Sequence, residues 1–203
     1  MGDIQVIPPA LDRLVQSFSA LPGIGAKTAT RLALTILRRS PSEAREMAGA
    51  LADLHGSIRL CSQCMAFSET DPCSVCADPR RDASLVCVVE QPADLLAIEK
   101  TDHYRGHYHI LHGVLSPVDG IGPDEIKVKE LLKRLQQGAI KEVLIATSST
   151  VPGEATASFL IDTLKRFQIR LSRLACGIPM GMDIKYADQH TLARAIEARS
   201  EAS

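Results

Sequence analysis

The sequence predicts an α+β multidomain chain: a helical N-terminal segment, a short four-cysteine element, an α/β domain on a mostly parallel sheet, and a helical C-terminal segment. Three observations predict it. Apolar residues recur at helical spacing between Leu11 and Leu54. Four of the six cysteines fall between Cys61 and Cys76. Beyond Asp82, strand-like and helical stretches alternate.

The bulk composition sets limits. A chain of 203 residues is long enough for one ordinary domain and a smaller one. It is 45% hydrophobic but has no Trp and only 3% aromatics, so its core must be aliphatic. A formal net charge of -1 means that any nucleic-acid surface is a local patch balanced by acid elsewhere. No apolar run approaches the length of a bilayer span. The start, MGDIQVIPPALDRL, lacks a basic stretch followed by a long apolar one, so no signal peptide and a cytoplasmic location are expected. In a reducing compartment, clustered cysteines point to metal rather than disulfides.

The elements follow in order. Leu11, Leu14, Val15, Phe18 and Leu21 line one face of a first helix, which Pro22-Gly23 breaks. A second helix is expected from Gly25 to about Arg39, with Ala29, Leu32, Ala33, Ile36 and Leu37 as its apolar face. Ser40-Pro41-Ser42-Glu43 reads as a capped start of a third helix, ending near His55-Gly56. Leu85 to Val89 is a continuous apolar run, the mark of a strand buried on both faces. Further strands are expected at 108–111, 143–147 and 171–175, and helices at 93–100, 125–137, 154–166 and 190–199. The resulting parts are 1–56, 57–80, 81–178 and 179–203.

The cysteine spacing is Cys61-x2-Cys64-x8-Cys73-x2-Cys76. Each Cys-x2-Cys knuckle turns two thiolates toward one point, and two knuckles close a tetrahedral four-sulfur site. Four cysteines leave no position for water, so zinc held there is structural; an iron–sulfur cluster accepts the same donors. Cys87 and Cys176 lie in apolar runs and read as small buried hydrophobes.

LPGIGAKTATRLA, residues 21–33, joins the first two helices. Gly23 and Gly25 permit a tight turn that presents backbone N–H groups at the start of the next helix, where the helix dipole favours an anion. Lys27 and Arg31 follow on one face, four residues apart, and reach one phosphate track. Residues 10–40 carry Arg13, Lys27, Arg31, Arg38 and Arg39 against Asp12 alone. The turn looks like a helix-hairpin-helix, a grip on DNA phosphates that reads no bases. It is not a P-loop, because Ala26 rather than glycine precedes the lysine.

Two acids stand after strands: Glu90 after 85–89, and Glu154 at the helix that follows 143–147. Carboxyl ends of parallel strands are where ligands gather. A Mg2+ site for phosphoryl transfer needs several converging acids. Glu90, Glu154 and Asp183 supply it poorly. His103, His107, His109 and His112 read as surface or cleft residues.

Together these parts resemble the RecR family of recombination mediators along nearly the whole chain. The likeness lies in LPGIGAKTATRLA, the four-cysteine segment, RRDASLVCVVEQPADLLAIEKT, GHYHILHGVLSPVDGIGPDEI, GEATASFL and YADQHTLARAI. The resemblance implies a helix-hairpin-helix segment, a four-cysteine zinc finger and a Toprim-like α/β domain. It implies a non-enzymatic role: a ring, often a tetramer built through the N- and C-terminal regions, that contacts DNA and acts with RecO, and with RecF where present, to help load RecA on single-stranded DNA. Lys27 and Arg31 match the family's DNA-binding positions. Glu90 and Glu154 match its Toprim acids, thought there to serve partner contact. The alternative is a Toprim-type, Mg2+-dependent phosphoryl-transfer enzyme on DNA. The chain departs from the family at Ser148-Ser149-Thr150 and at Pro152-Gly153-Glu154, where Pro152 removes an acid and a backbone donor.

Overall fold

A computed structural model describes residues 7–199. The chain divides into two compact units, one ending at Ser57 and the other beginning at Ile58.

The first unit is three helices: α1 (Pro9–Ser19), α2 (Ala26–Arg38) and α3 (Pro41–Ser57). The predicted face of α2 packs on α1, but only Ala29 and Ala33 are fully buried. The start of α3 is capped as its sequence implies: the Glu43 carboxylate accepts the Ser40 N–H at 3.0 Å, and Ser40 Oγ accepts the Glu43 N–H at 3.3 Å. Large apolar side chains remain outside. Leu37, Leu51 and Leu54 are 69%, 62% and 52% exposed.

The second unit opens with the cysteine element: β1 (Arg59–Leu60), β2 (Phe67–Ser68) and the one-turn α4 (Ser74–Ala77), with β1 and β2 antiparallel. The α/β layer follows: β3 (Asp82–Val89), α5 (Pro92–Glu99), β4 (Gly106–Ile110), α6 (Val128–Gln136), β5 (Glu142–Ala146), α7 (Val151–Leu164) and β6 (Arg170–Arg173). Its four strands are all parallel in the order β4-β3-β5-β6. The helix α8 (Gln189–Glu197) closes the described chain. No described helix is long and apolar enough to cross a membrane.

Side-chain alternation explains why β3 reads as one apolar run. Val86 and Val88 face a core completed by Leu131, Leu135, Val143, Ile145, Leu160 and Leu164. Cys87 and Val89 face a second core with Tyr108, Ile110, Leu95 and Met65. The latter is sealed by a polar clasp: the Glu99 carboxylate accepts the Tyr108 hydroxyl at 2.6 Å and pairs with Arg81.

Two expectations fail here. His109, expected at the surface or in a cleft, is completely buried, while His107, nearly buried, lines a cleft as expected. Both lie on the face of β4 opposite Tyr108, and the sequence gives no apolar tag for that face. His109 Nε2–H donates to the Lys127 carbonyl at 2.7 Å, while Nδ1 has no partner, so the ring is neutral with its proton on Nε2. Cys176, expected to be buried, is exposed, because β6 ends at Arg173 before reaching it.

Burial pushes the His109 pKa down from 6.5 to about 4. Between those values the unfolded chain takes up a proton that the folded chain refuses. Stability from this residue is therefore complete above pH 6.5 and is lost as pH falls toward 4, by about 3 kcal/mol in all. His109→Gln, which keeps a donor and cannot titrate, should lose less stability than the wild type between pH 7 and pH 5. Urea unfolding at the two pH values measures that difference.

Candidate functional site

The four predicted cysteines converge. Their Sγ atoms all lie within 4.8 Å of one another; Cys61, Cys64 and Cys73 are buried and Cys76 is partly so. The Cys64 and Cys73 sulfurs are 3.5 Å apart, close to the separation of about 3.8 Å that tetrahedral zinc–thiolate geometry sets. Four thiols in so small a volume compete for protons. A hydrogen bond from Cys76 lowers the Cys64 pKa to about 5. Burial first, and then the neighbouring Cys64 charge, push Cys73 up to about 11. Only a dication lets all four be thiolates together, so the donor set fits structural zinc.

The first knuckle also covers the edge of the sheet. The Ile110 N–H on the outer edge of β4 donates to the Cys64 carbonyl at 2.9 Å. His112 Nε2–H donates to the Met65 carbonyl at 2.6 Å. Arg134 on α6 donates to the Gln63 carbonyl at 3.2 Å and to the Tyr108 carbonyl at 2.6 Å. The element thus occupies the edge that an open parallel sheet would expose.

In the first unit the glycine turn has the expected form. Gly23 takes a positive φ of 79°, which glycine adopts without strain. Gly25 is the N-cap of α2 and offers no side-chain cap, so the opening amides of the helix keep no side-chain partner. Nothing lies within 4 Å of a Cβ built on either glycine, leaving open space before the helix. Lys27 and Arg31 are exposed on the first turns of α2, and neither joins an ion pair among the described residues.

The acids of the α/β layer sit at the carboxyl ends of their strands, but each already has a protein partner. Glu90 accepts the Ser148 N–H at 2.7 Å and so ties β3 to the loop after β5. Glu154 accepts two hydrogen bonds from Arg173, at 2.7 and 3.1 Å, and lies 3.7 Å from Arg194 of α8. The Arg173 guanidinium holds the Glu154 carboxyl below its usual range. Asp183 pairs instead with Lys185 at the surface. Among the described residues, the only convergence of three or more metal-ligating side chains is the cysteine cluster. Arg134, Arg173 and Arg194 carry no signal in the sequence, since isolated arginines on helices and short strands read as solvated.

In sequence order, a glycine turn between two helices, a four-thiolate knuckle pair and a parallel α/β layer with acids at its carboxyl edge define a multidomain zinc-finger α/β protein. Comparison with known proteins narrows the class. Family models match in sequence order: the RecR helix-hairpin-helix at residues 11–55, the RecR four-cysteine zinc finger at 58–78, the Toprim domain at 84–175 and the RecR C-terminal region at 177–200. The recombination protein RecR of Anaeromyxobacter sp. is 54% identical over 93% of this chain and 96% of its own length. Those of Syntrophobacter fumaroxidans and Moorella thermoacetica are 48% and 50% identical, over 95% and 96% of this chain and 96% and 98% of theirs. The chain belongs to the RecR family.

Proposed function

We propose that this chain is a DNA-binding recombination mediator in recombinational repair, acting in the cytoplasm with RecO, and with RecF where present, to help load RecA on single-stranded DNA. The observation that carries the DNA contact is the uncapped start of α2 with Lys27 and Arg31 beside it. That arrangement offers amide donors and two cations to a phosphate backbone and nothing to a base edge. One such turn grips weakly, so useful affinity calls for several copies.

The chain assembles into a ring, with a tetramer as the expected form. Two surfaces support this: within 1–56, the exposed apolar side chains Leu37, Leu51 and Leu54, and within 179–203, the exposed Met180, Ile184 and Tyr186. Residues 57–80 hold zinc through Cys61, Cys64, Cys73 and Cys76, and residues 81–178 contact partners around Glu90 and Glu154. We take the role to be non-enzymatic, because Glu154 is already engaged by Arg173 and Arg194 rather than free to join Glu90 at a Mg2+.

Replacing Lys27 and Arg31 together by alanine is expected to weaken DNA binding about tenfold or more for every sequence, and to flatten the salt dependence by about 1.8 log units per decade on duplex. Fluorescence anisotropy over a range of salt measures both. An unchanged affinity and slope would remove the helix-hairpin-helix from the interface.

A further inference from the structure

We propose that a cavity at the amino end of the sheet, between α6 and the first cysteine knuckle, binds a nucleoside phosphate. It is distinct from the acids at the carboxyl end and does not rest on the DNA contact above. Its volume is about 520 Å³, within the range of small-ligand sites, and Ser62, His107, Glu130, Lys133, Arg134 and Ile140 contribute to its wall.

The charge in this cavity is unbalanced. Arg134 is half-buried, yet no carboxylate lies within 4 Å of it among the described residues. Its Nη1 spends both hydrogens on the Tyr108 and Gln63 carbonyls, and Nη2 gives one to His107 Nδ1 at 3.3 Å. A guanidinium has five N–H donors, so one on Nη2 and the one on Nε remain. Because Nδ1 of His107 is an acceptor, its proton sits on Nε2, a further donor on a residue that lines the cavity. Lys133 adds a second full charge and forms no ion pair among the described residues. The one acid on this wall, Glu130, lies 3.5 Å from Lys127 and is partly neutralised by it.

Carbonyl contacts orient Arg134 without cancelling its charge, so the fork is held ready for an anion. A phosphate ester is the anion that suits this wall, because its several oxygens can accept from Arg134, His107 and Lys133, all of which line the cavity. Ser62 and Glu130 suit the hydroxyls of a sugar, and Ile140 supplies apolar wall. The phosphate has two sources: a free nucleotide, or the 5′ end of a DNA strand.

The test uses the full chain carrying Lys27→Ala and Arg31→Ala, which removes the other phosphate grip. Thymidine monophosphate, with thymidine as the phosphate-free control, is titrated by saturation-transfer NMR. A ten-nucleotide oligothymidine with and without a 5′ phosphate is titrated by anisotropy. Lys133 forms no ion pair among the described residues, so Lys133→Ala keeps the fold, and an unchanged melting curve verifies it. Binding of the monophosphate over thymidine that Lys133→Ala weakens about fivefold or more supports the free nucleotide. A preference for the phosphorylated oligonucleotide that Lys133→Ala abolishes, without monophosphate binding, supports the strand end. If neither ligand binds, or binding is unchanged by Lys133→Ala, the proposal is overturned.

Discussion

Stripping zinc from the four cysteines is expected to unfold residues 57–80 and to open the sheet edge they cover. Apart from its cysteines, this element has Met65 buried and little else, and its two strands have two residues each. Apolar burial on that scale cannot offset the ordering of some twenty residues, about 1–2 kcal/mol each for the backbone alone. A structural zinc site supplies on the order of 10–16 kcal/mol, as much as the whole stability of an ordinary domain. Losing it also frees the carbonyls of Cys64, Met65 and Gln63 from Ile110, His112 and Arg134. The outer N–H of Ile110 then faces solvent, and β4 becomes a bare edge open to pairing with other chains. Cys64→Ser, or chelation of the wild type, should therefore accelerate hydrogen exchange at Ile110 and promote aggregation. Protection at Ile110 that survives complete loss of metal would show that packing alone holds the knuckle. Cys87→Ala is the matched control. Burial pushes that lone thiol up to about 12, so it is a neutral core group whose loss costs about 1 kcal/mol and no metal.

What the sequence disclosed and what it hid separate along physical lines. The knuckles, the β3 run and the Ser40–Glu43 cap were legible because each is a local rule: ligand spacing, apolar continuity, a reciprocal hydrogen bond over three residues. The glycine turn was legible for the same reason. His109 was not. Whether His109 is buried depends on Lys127 offering a carbonyl, a partner 18 residues away that no periodicity marks. Arg134 was hidden likewise: its clamp joins α6, β4 and the knuckle, three segments remote in sequence. Cys176 misled because apolar neighbours suggested a longer last strand, whereas pairing with β5 stops at Arg173. Glu154 was located correctly at the start of a helix, but its guanidinium partners come from β6 and α8.

The loop between β5 and α7 yields the second large effect. Gly153→Ala is expected to destabilise the second unit by about 3 kcal/mol or more, combining overpacking with the loss of a charge-assisted hydrogen bond. A Cβ on Gly153 would overlap the Ser148 carbonyl and hydroxyl and sit 2.8 Å from Glu90 Oε1. Backbone on one side and a carboxylate on the other leave it no room to shift. Relief requires moving Ser148, which breaks the 2.7 Å bond to Glu90, or moving the start of α7, which breaks the 2.9 Å bond from Thr147 Oγ1 to the Gly153 carbonyl. At about 2–4 °C per kcal/mol for a unit of this size, the melting temperature should fall by about 6–12 °C. Glu90→Gln keeps the shape and an acceptor for Ser148, and should cost about 1 kcal/mol. Equal losses in the two variants would mean that charge at Glu90, rather than space at Gly153, holds the loop. The same geometry accounts for Pro152. It is the second residue of α7, where an N–H has no partner within the helix, so proline there removes nothing that the helix uses. Its carbonyl still accepts the Thr156 hydroxyl at 2.7 Å, and that hydroxyl accepts the Leu115 N–H at 2.9 Å. Pro152 thus leaves intact the brace between Glu90, Ser148 and Gly153 that positions this loop.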